Sequence, residues 1–369
     1  MSDLRSNKGL DLSERYFRQA VRPLLHSHFP EMEFSAGLIG DGSEVLGFDS
    51  EMSQDHDWGP RVMLFLSDSD HAKFGKQVAL MLQKHLPKTF GGFSTQFTTP
   101  NQIVELRSTN EMSDGEHPTK SHSAEVLTLQ KFFSQHIKFE LSEEIEPSDW
   151  LTFPEQKLAT IIAGRVFEDQ IGLQTTRDRF AYYPNDIWLY LLGCQWTRIE
   201  QEEHLMGRAG YAGDELGSAI IAARLVRDLM RLCFLMEKQY APYQKWFGTA
   251  FARLNASKSL VPMFQQTLAA STWEDRQKSL SEAYSYVATA HNLLRITEEL
   301  PTSVRQFHGR PFAVISMGDF SKAIFAQIKD PVVIKIAQKR PIGSIDQFSD
   351  STDLISDANV RPALKSLYI

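Results

Sequence analysis

A chain of 369 residues exceeds one ordinary hydrophobic core, and this length predicts two domains. The formal net charge of −7 provides no broad basic surface, so a long nucleic acid is not expected as the main partner. No uninterrupted apolar run approaches the roughly 20 residues that span a bilayer, and the first residues lack an apolar leader. These features predict a cytoplasmic protein without a membrane partner.

The two cysteines agree with that compartment. Cys194 and Cys233 lie in apolar patterns of helical period, which favours buried core thiols over a disulfide or a metal-binding pair. Reduced thiols of this kind are typical of a reducing cytoplasm.

The beginning of the chain predicts a helix, a strand and a glycine turn. Residues 12–29 carry an apolar stripe of helical period, and residues 34–39 form a short apolar run typical of a buried strand. The turn that follows contains Gly42 and Ser43, and its glycines let the backbone approach a ligand. A helix beginning just after Ser43 would direct its unpaired N–H groups at that turn. The turn is therefore a predicted phosphate site.

Two acids precede the next apolar run, residues 62–66, which is of strand length. In an extended chain Asp55 and Asp57 would point to the same side. Mg²⁺ takes oxygen ligands and is often shared between carboxylates and substrate phosphates. Either acid alone is more typical of a solvated turn or a helix cap. The order of strand, glycine turn, spacer and acid pair favours a site for Mg²⁺ or Mn²⁺.

In this order the residues resemble the DNA-polymerase-beta-like nucleotidyltransferases, whose motif is Gly-Gly or Gly-Ser, a spacer, then Asp, any residue, and Asp or Glu. Gly42, Ser43, Asp55 and Asp57 match the motif, while His56 replaces a usually apolar residue. The string GDGSEVLGFDSEMSQDHDWGPR resembles an uncharacterised bacterial family, a domain of unknown function with a kanamycin-nucleotidyltransferase-like fold. The resemblance implies an α+β chain: an N-terminal nucleotidyltransferase-like domain with a mixed sheet and helices, then a mainly helical domain.

The same resemblance implies a third carboxylate on a later strand. Glu125 is the first candidate, because it lies in a short apolar run directly before a helical pattern. Glu105, in the run of residues 102–106, is the alternative. Either acid can also be an ordinary strand charge.

An acidic, proline-bearing stretch at residues 143–147 predicts a boundary between a catalytic domain, 1–146, and a mainly helical domain, 147–369. The first helix predicted in the second domain spans residues 154–166. Antibiotic nucleotidyltransferases of similar layout place a helical lysine over the phosphates, which makes Lys245 the candidate. A solvated lysine whose stem covers Trp246 is the other interpretation. Three arginines at helical spacing are alternatives, either as phosphate ligands or as ion-pair partners: Arg224, Arg227 and Arg231.

The resemblance implies transfer of a nucleoside monophosphate, AMP from ATP or from another nucleoside triphosphate, to an acceptor hydroxyl with release of pyrophosphate. The acceptor would be a small molecule, a protein or an RNA. A catalytically silent nucleotide-binding or regulatory protein on the same fold is the alternative. The implied roles are metal binding by Asp55, Asp57 and Glu125, deprotonation by Glu125, and phosphate binding by Gly42, Ser43 and Lys245.

Overall fold

The structure, a computed structural model, describes residues 8–50, 58–97 and 121–369. The predicted acids Asp55, Asp57 and Glu105 lie outside these residues. The chain is a mixed α+β protein with a helical C-terminal part, as the sequence predicts. It divides into two compact units, one formed by Met1–Glu143 with Lys157–Ala181 and the other by Glu144–Gln156 with Tyr182–Ile369. Among the described residues, no helix combines the length and apolar character that crossing a bilayer requires.

The first unit contains a four-stranded mixed sheet, whose strands in spatial order are β7 (Ala124–Thr128), β2 (Val62–Leu66), β1 (Phe34–Leu38) and β8 (Arg165–Asp169). Strand β1 pairs antiparallel with β2 and with β8, and β2 pairs parallel with β7. Short two-stranded pairings join β3 to β4 and β5 to β6. In chain order the strands of this unit are β1 (Phe34–Leu38), β2 (Val62–Leu66), β3 (Thr89–Phe90), β4 (Phe93–Ser94), β5 (Gln96–Phe97), β6 (Ser121–His122), β7 (Ala124–Thr128) and β8 (Arg165–Asp169).

Seven α-helices precede residue 182 in the described chain: α1 (Lys8–Tyr16), α2 (Arg22–His28), α3 (Asp68–His85), α4 (Leu129–Ile137), α5 (Pro147–Thr152), α6 (Glu155–Ile162) and α7 (Leu173–Asp178). A π-helical segment, Phe17–Val21, joins α1 to α2. The predicted helix over residues 12–29 therefore forms without a break, and its central residues adopt the wider π-helix. Ser67 and Thr128 cap α3 and α4 by accepting backbone N–H groups with their hydroxyls. Both helices therefore begin where a strand ends.

The two faces of the sheet bury different side chains, because successive residues of a strand point to opposite sides. Val62 and Leu64 share a core with Tyr16 and Phe17 of the N-terminal helices. On the other face, Phe65 contacts Phe132 of α4, with 6.0 Å between the ring centroids. The pleat thus gives one face to the N-terminal helices and leaves the other to α4.

The second unit is helical apart from one two-stranded pairing. Helix α10 (Glu215–Met236) packs on both α8 (Asn185–Glu202) and α13 (Trp273–Leu293). Trp196 of α8 stacks on Phe320 of α14 (Asp319–Phe325) with 4.0 Å between ring centroids. The elements after residue 182 are α8 (Asn185–Glu202), α9 (Leu205–Tyr211), α10 (Glu215–Met236), α11 (Gln244–Phe251), α12 (Ser257–Ala269), α13 (Trp273–Leu293), β9 (Arg305–Gln306), β10 (Ala313–Val314), α14 (Asp319–Phe325), α15 (Pro331–Lys339), α16 (Ile345–Phe348), α17 (Thr352–Ser356) and α18 (Arg361–Lys365).

One predicted helix is wrong over its last residues. The helix predicted over residues 154–166 ends at Ile162, and Arg165 begins β8. Gly164 makes this change of direction, since its φ of +75° suits glycine and an added Cβ would lie 2.1 Å from the Leu38 carbonyl oxygen. The chain thereby returns to the sheet of the first unit. The predicted division into 1–146 and 147–369 assigns β8 to the second domain, whereas the compact units assign it to the first.

Candidate functional site

The predicted glycine turn follows β1 directly. Gly40 and Gly42 have φ values of +80° and +151°, which L-residues rarely adopt. No helix begins at Ser43, because residues 43–47 form turns in which the Phe48 N–H donates to the Ser43 carbonyl at 2.8 Å. The expectation of a helix N-terminus at this turn is therefore wrong. A helix dipole therefore contributes no charge at this turn, and the charges that the described residues place here are those of side chains.

Arg61 supplies one such charge at the turn. Its guanidinium pairs with the buried carboxylate of Glu44 and donates to the Asp41 carbonyl oxygen at 3.3 Å. A Cβ added to Gly42 would lie 2.7 Å from Arg61 Nη2, so only glycine leaves room for this arginine. The Arg61 backbone N–H also donates to Ser13 Oγ at 3.2 Å. Arg61 thus joins the glycine turn to the chain that leads into β2.

Lys157 is a second cation at the turn. Its Nζ lies 3.2 Å and 3.1 Å from the two carboxylate oxygens of Asp41, the residue before Gly42. Helix α6 is held at this position because the Gly40 N–H donates to the Thr160 carbonyl at 3.0 Å. Gly42 therefore lies in the sequence between two acids that pair with different cations. Asp41 is mostly exposed and contacts Lys157, whereas Glu44 is buried and pairs with Arg61.

The titration of Asp41 depends on these neighbours. Although the side chain is mostly exposed, desolvation by nearby protein atoms pushes the pKa of its carboxyl upward. The positive potential of His136, Lys157 and Arg61 outweighs this effect and holds the pKa below its usual value. Burial lowers the pKa of His136, whose Nε2 contacts Thr160 Oγ1 at 2.9 Å. Near neutral pH this leaves Lys157 and Arg61 as the cations that act on an ionised Asp41.

Glu125 lies on β7, directly beside Met63 of β2, which in turn pairs with Gly37 of β1. Its side chain is exposed, and among the described residues its carboxylate makes no hydrogen bond or ion pair. Desolvation by the surrounding protein raises the pKa of Glu125, against the opposing effects of Lys131 and Arg61. A carboxylate with uncommitted oxygens and a raised pKa is one that a bound cation would stabilise.

The segment with the predicted acid pair lies between two described residues that contact each other. Trp58 Nε1 donates to Asp49 Oδ2 at 3.4 Å, and the Gly9 N–H donates to the same oxygen at 3.2 Å. Asp55 and Asp57 themselves, like the alternative Glu105, lie outside the described residues. Within residues 8–50, 58–97 and 121–369, no three His, Cys, Asp or Glu side chains are grouped to hold a metal. Metal binding by the two aspartates stays a prediction.

Lys245 is exposed on α11, in the second unit, and its Nζ lies 4.8 Å from the centroid of the Trp246 ring. This is the arrangement that the solvated interpretation predicts. Each alternative arginine has an acidic partner, which agrees with the ion-pair interpretation: Arg224 pairs with Glu202, Arg227 with Asp350, and Arg231 with Glu155.

Sequence reasoning did not select Arg61, Glu44 or Lys157. Glu44 directly precedes the apolar residues Val45 and Leu46, and this position is a usable signal, since a carboxylate buried among apolar residues requires a cation or several donors. The sequence does not say which cation serves it, because Arg61 is 17 residues away and Lys157 lies 116 residues from Asp41.

Residues 150–247 match a family model described as a domain of unknown function, DUF4037. This segment includes Lys157, Arg231 and Lys245 but neither the glycine turn nor Glu125. No curated protein matches the chain.

Proposed function

We propose that the chain is a metal-dependent nucleotidyltransferase that moves a nucleoside monophosphate, AMP from ATP or from another nucleoside triphosphate, to an acceptor hydroxyl. The proposal includes the assignment of the first unit to the nucleotidyltransferase-like fold. Its main support is the glycine turn after β1, which has two cations beside it and lies in the same unit as the exposed Glu125. The order of strand, turn, acid pair and third acid on β7 agrees with the motif.

Asp55, Asp57 and Glu125 would hold Mg²⁺ or Mn²⁺, which when bound neutralises phosphate charge and orients the reacting oxygens. The oxygens of Glu125 fit this use, because they are uncommitted among the described residues. In the reaction the acceptor oxygen bonds to the α-phosphorus, the bond to the pyrophosphate oxygen breaks, and the hydroxyl proton passes to Glu125. A small molecule, a protein side chain or an RNA end can supply that hydroxyl.

The phosphates would lie at Gly42 and Ser43. The Ser43 hydroxyl has no hydrogen-bond partner among the described residues and is available as a donor. Lys157 and Arg61 are placed at the same turn, and this placement favours them over Lys245 as the cations for the triphosphate. Lys157 would then contact both Asp41 and a phosphate oxygen. Its contact with the phosphate would become stronger as negative charge develops on that oxygen.

The experiment is incubation of the full chain with each nucleoside triphosphate labelled at the α-phosphate, with Mg²⁺ or Mn²⁺ and a cell extract. Pyrophosphate release together with a labelled product supports transfer, and Asp57→Asn is the matched inactive control. Triphosphate binding without any labelled product would favour the silent regulatory alternative. Absence of triphosphate binding by calorimetry would overturn both.

A further inference from the structure

The second unit contains a cavity of about 520 Å³ that plays no part in the proposed reaction. Three segments line it: the start of α5, one face of α15, and residues 367–369. A volume of this size is typical of pockets that hold small organic molecules. The cavity is therefore large enough for a ligand rather than for a few waters.

The deepest part of the lining is apolar. Ile336 and Tyr368 are 3% and 6% exposed and belong to the core, while Val332 is 51% exposed towards solvent. The Tyr368 hydroxyl donates to the Gly343 carbonyl at 2.7 Å, so its polar atom is already satisfied and its ring offers an apolar surface. The inner lining suits a hydrocarbon or aryl group.

The outer part of the lining is positively charged. Lys335 and Lys339 lie four residues apart on the helix face that also carries Val332 and Ile336. Neither lysine has an ion-pair partner among the described residues, and Arg340, which also lines the cavity, has none within the same ranges. This cluster of cations occurs in a chain whose net charge is −7.

Glu146 is the one acidic side chain in the lining, and among the described residues it forms no ion pair with these cations. Glu146 faces Lys365, whose Nζ lies 3.6 Å from the glutamate and 2.9 Å from Asp149. Lys335 and Lys339 therefore remain uncompensated beside an apolar interior. Their charge complements an anion whose body is apolar.

We propose that this cavity binds an amphipathic organic anion, with its apolar body against Ile336 and Tyr368 and its carboxylate or phosphate group at Lys335 and Lys339. The apolar body gains from leaving water, and the head group stays at the solvent-exposed end, where the lysines reach it. Every lining residue belongs to the second unit, and none of them is a residue to which the proposed nucleotidyltransferase activity assigns a role.

The test is isothermal titration calorimetry of the full chain with four probes: decanoate, decyl phosphate, 1-decanol and inorganic phosphate, each below its micelle-forming concentration. Decanoate or decyl phosphate should bind at least about tenfold more tightly than decanol or inorganic phosphate, because only they supply both parts of the interaction. A preference between the two anions identifies the head group. Equal binding of decanol, equal binding of inorganic phosphate, or no binding of either anion would overturn the proposal.

Charge-removal variants locate the site. The double variant Lys335→Gln/Lys339→Gln should weaken the tighter anion by about tenfold. The control is Lys278→Gln/Lys322→Gln, which removes two exposed lysines outside the lining and should leave the affinity unchanged. Because all four lysines are exposed, both double variants should fold. Melting temperatures near that of the wild type would confirm this. Wild-type affinity in the first variant, or the same loss in the control, would contradict the assignment.

Discussion

Two acidic side chains of the first unit, Asp41 and Glu125, differ in environment from two of the second unit, Glu155 and Asp346. In the first unit Glu125 is exposed and, among the described residues, uncommitted, while Asp41 contacts Lys157 near the protein surface. In the second unit Glu155 and Asp346 are buried, and backbone donors use their oxygens. The Ala241 N–H donates to Glu155 Oε2 at 2.9 Å, and the Glu155 N–H donates to Asp346 Oδ2 at 2.8 Å.

Burial raises the pKa of both acids in the second unit, and it raises that of Glu155 to about 7. Repulsion from Asp346 adds to the effect on Glu155, while Arg231, 3.9 Å away, opposes it. The pKa is therefore raised both in Glu125, a candidate catalytic acid, and in Glu155, a buried acid that accepts a backbone N–H. The difference lies in the oxygens: those that hold backbone N–H groups stabilise the fold, and those that remain uncommitted are available for a ligand.

Among the residues that the structure describes, the largest effect is expected at Glu125. If its carboxylate takes the acceptor proton, Glu125→Gln should lower turnover by about 100-fold and change triphosphate affinity little. Steady-state kinetics together with equilibrium binding separates these quantities. The control is Glu105→Gln, and a large loss of turnover in that variant with none in Glu125→Gln would assign the third carboxylate to residue 105.

The next effect is expected at Gly42. An added Cβ would lie 2.7 Å from Arg61 Nη2 and 2.9 Å from Glu44 Oε2, so Gly42→Ala should displace that ion pair and weaken triphosphate binding by about 30-fold. Gly92→Ala is the control, because Gly92 also has a positive φ of +88° but no atom lies near its added Cβ. Calorimetric titration with ATP measures both variants. Equal affinities would show that the glycine turn does not contact the nucleotide.

A smaller effect should distinguish the two candidate lysines. Lys157→Ala should weaken triphosphate binding by about tenfold and monophosphate binding less, since it removes one charge-assisted contact to the outer phosphates. Lys245→Ala is the matched change in the second unit, where Nζ covers Trp246. Titrations of ATP and AMP against both variants decide between them. A selective loss in Lys245→Ala alone would return the phosphate role to that residue.

The smallest effect concerns stability rather than activity. Because the pKa of Glu155 is raised to about 7 in the folded chain, the folded state binds more protons than the unfolded state between about pH 4.5 and pH 7. The free energy of unfolding should therefore fall as pH rises through this window. Glu155→Gln keeps an oxygen for the Ala241 N–H and should reduce that fall, while Asp346 retains part of it.

Urea unfolding at several pH values measures this dependence. Glu282→Gln, a change at an exposed helical position, is the control and should leave the profile unchanged. An unaltered slope in Glu155→Gln would mean that Glu155 titrates as an ordinary carboxyl group and that the buried cluster is not the source of the pH dependence.

Local patterns were sufficient to predict most of the elements. The strands at residues 34–39 and 62–66 and the helix over residues 12–29 were visible because periods of 2 and 3.6 are properties of a few neighbouring residues. The glycine turn was visible for the same reason, since Gly42 and Ser43 directly follow an apolar strand. These predictions do not require knowledge of contacts between residues that are distant in the sequence.

Tertiary pairing explains what was missed. The helix predicted over residues 154–166 includes the first two residues of β8, because nothing local shows that Gly164 approaches the Leu38 carbonyl. Lys157 and Asp41 meet across 116 residues, and that pairing exists only once α6 is docked at the turn. The helix expected after Ser43 failed because turn hydrogen bonds and the Arg61–Glu44 pair hold that segment instead.

The most direct test of the proposed metal site measures transfer of label from ATP labelled at the α-phosphate over a range of Mn²⁺ concentrations. The wild type is compared with Asp55→Asn and Asp57→Asn, after equal melting temperatures have shown that the variants fold. The wild type should show metal-dependent labelling, and each variant should lose at least about 100-fold, because each substitution removes one carboxylate charge from the predicted metal site. Wild-type labelling rates in both folded variants would contradict it.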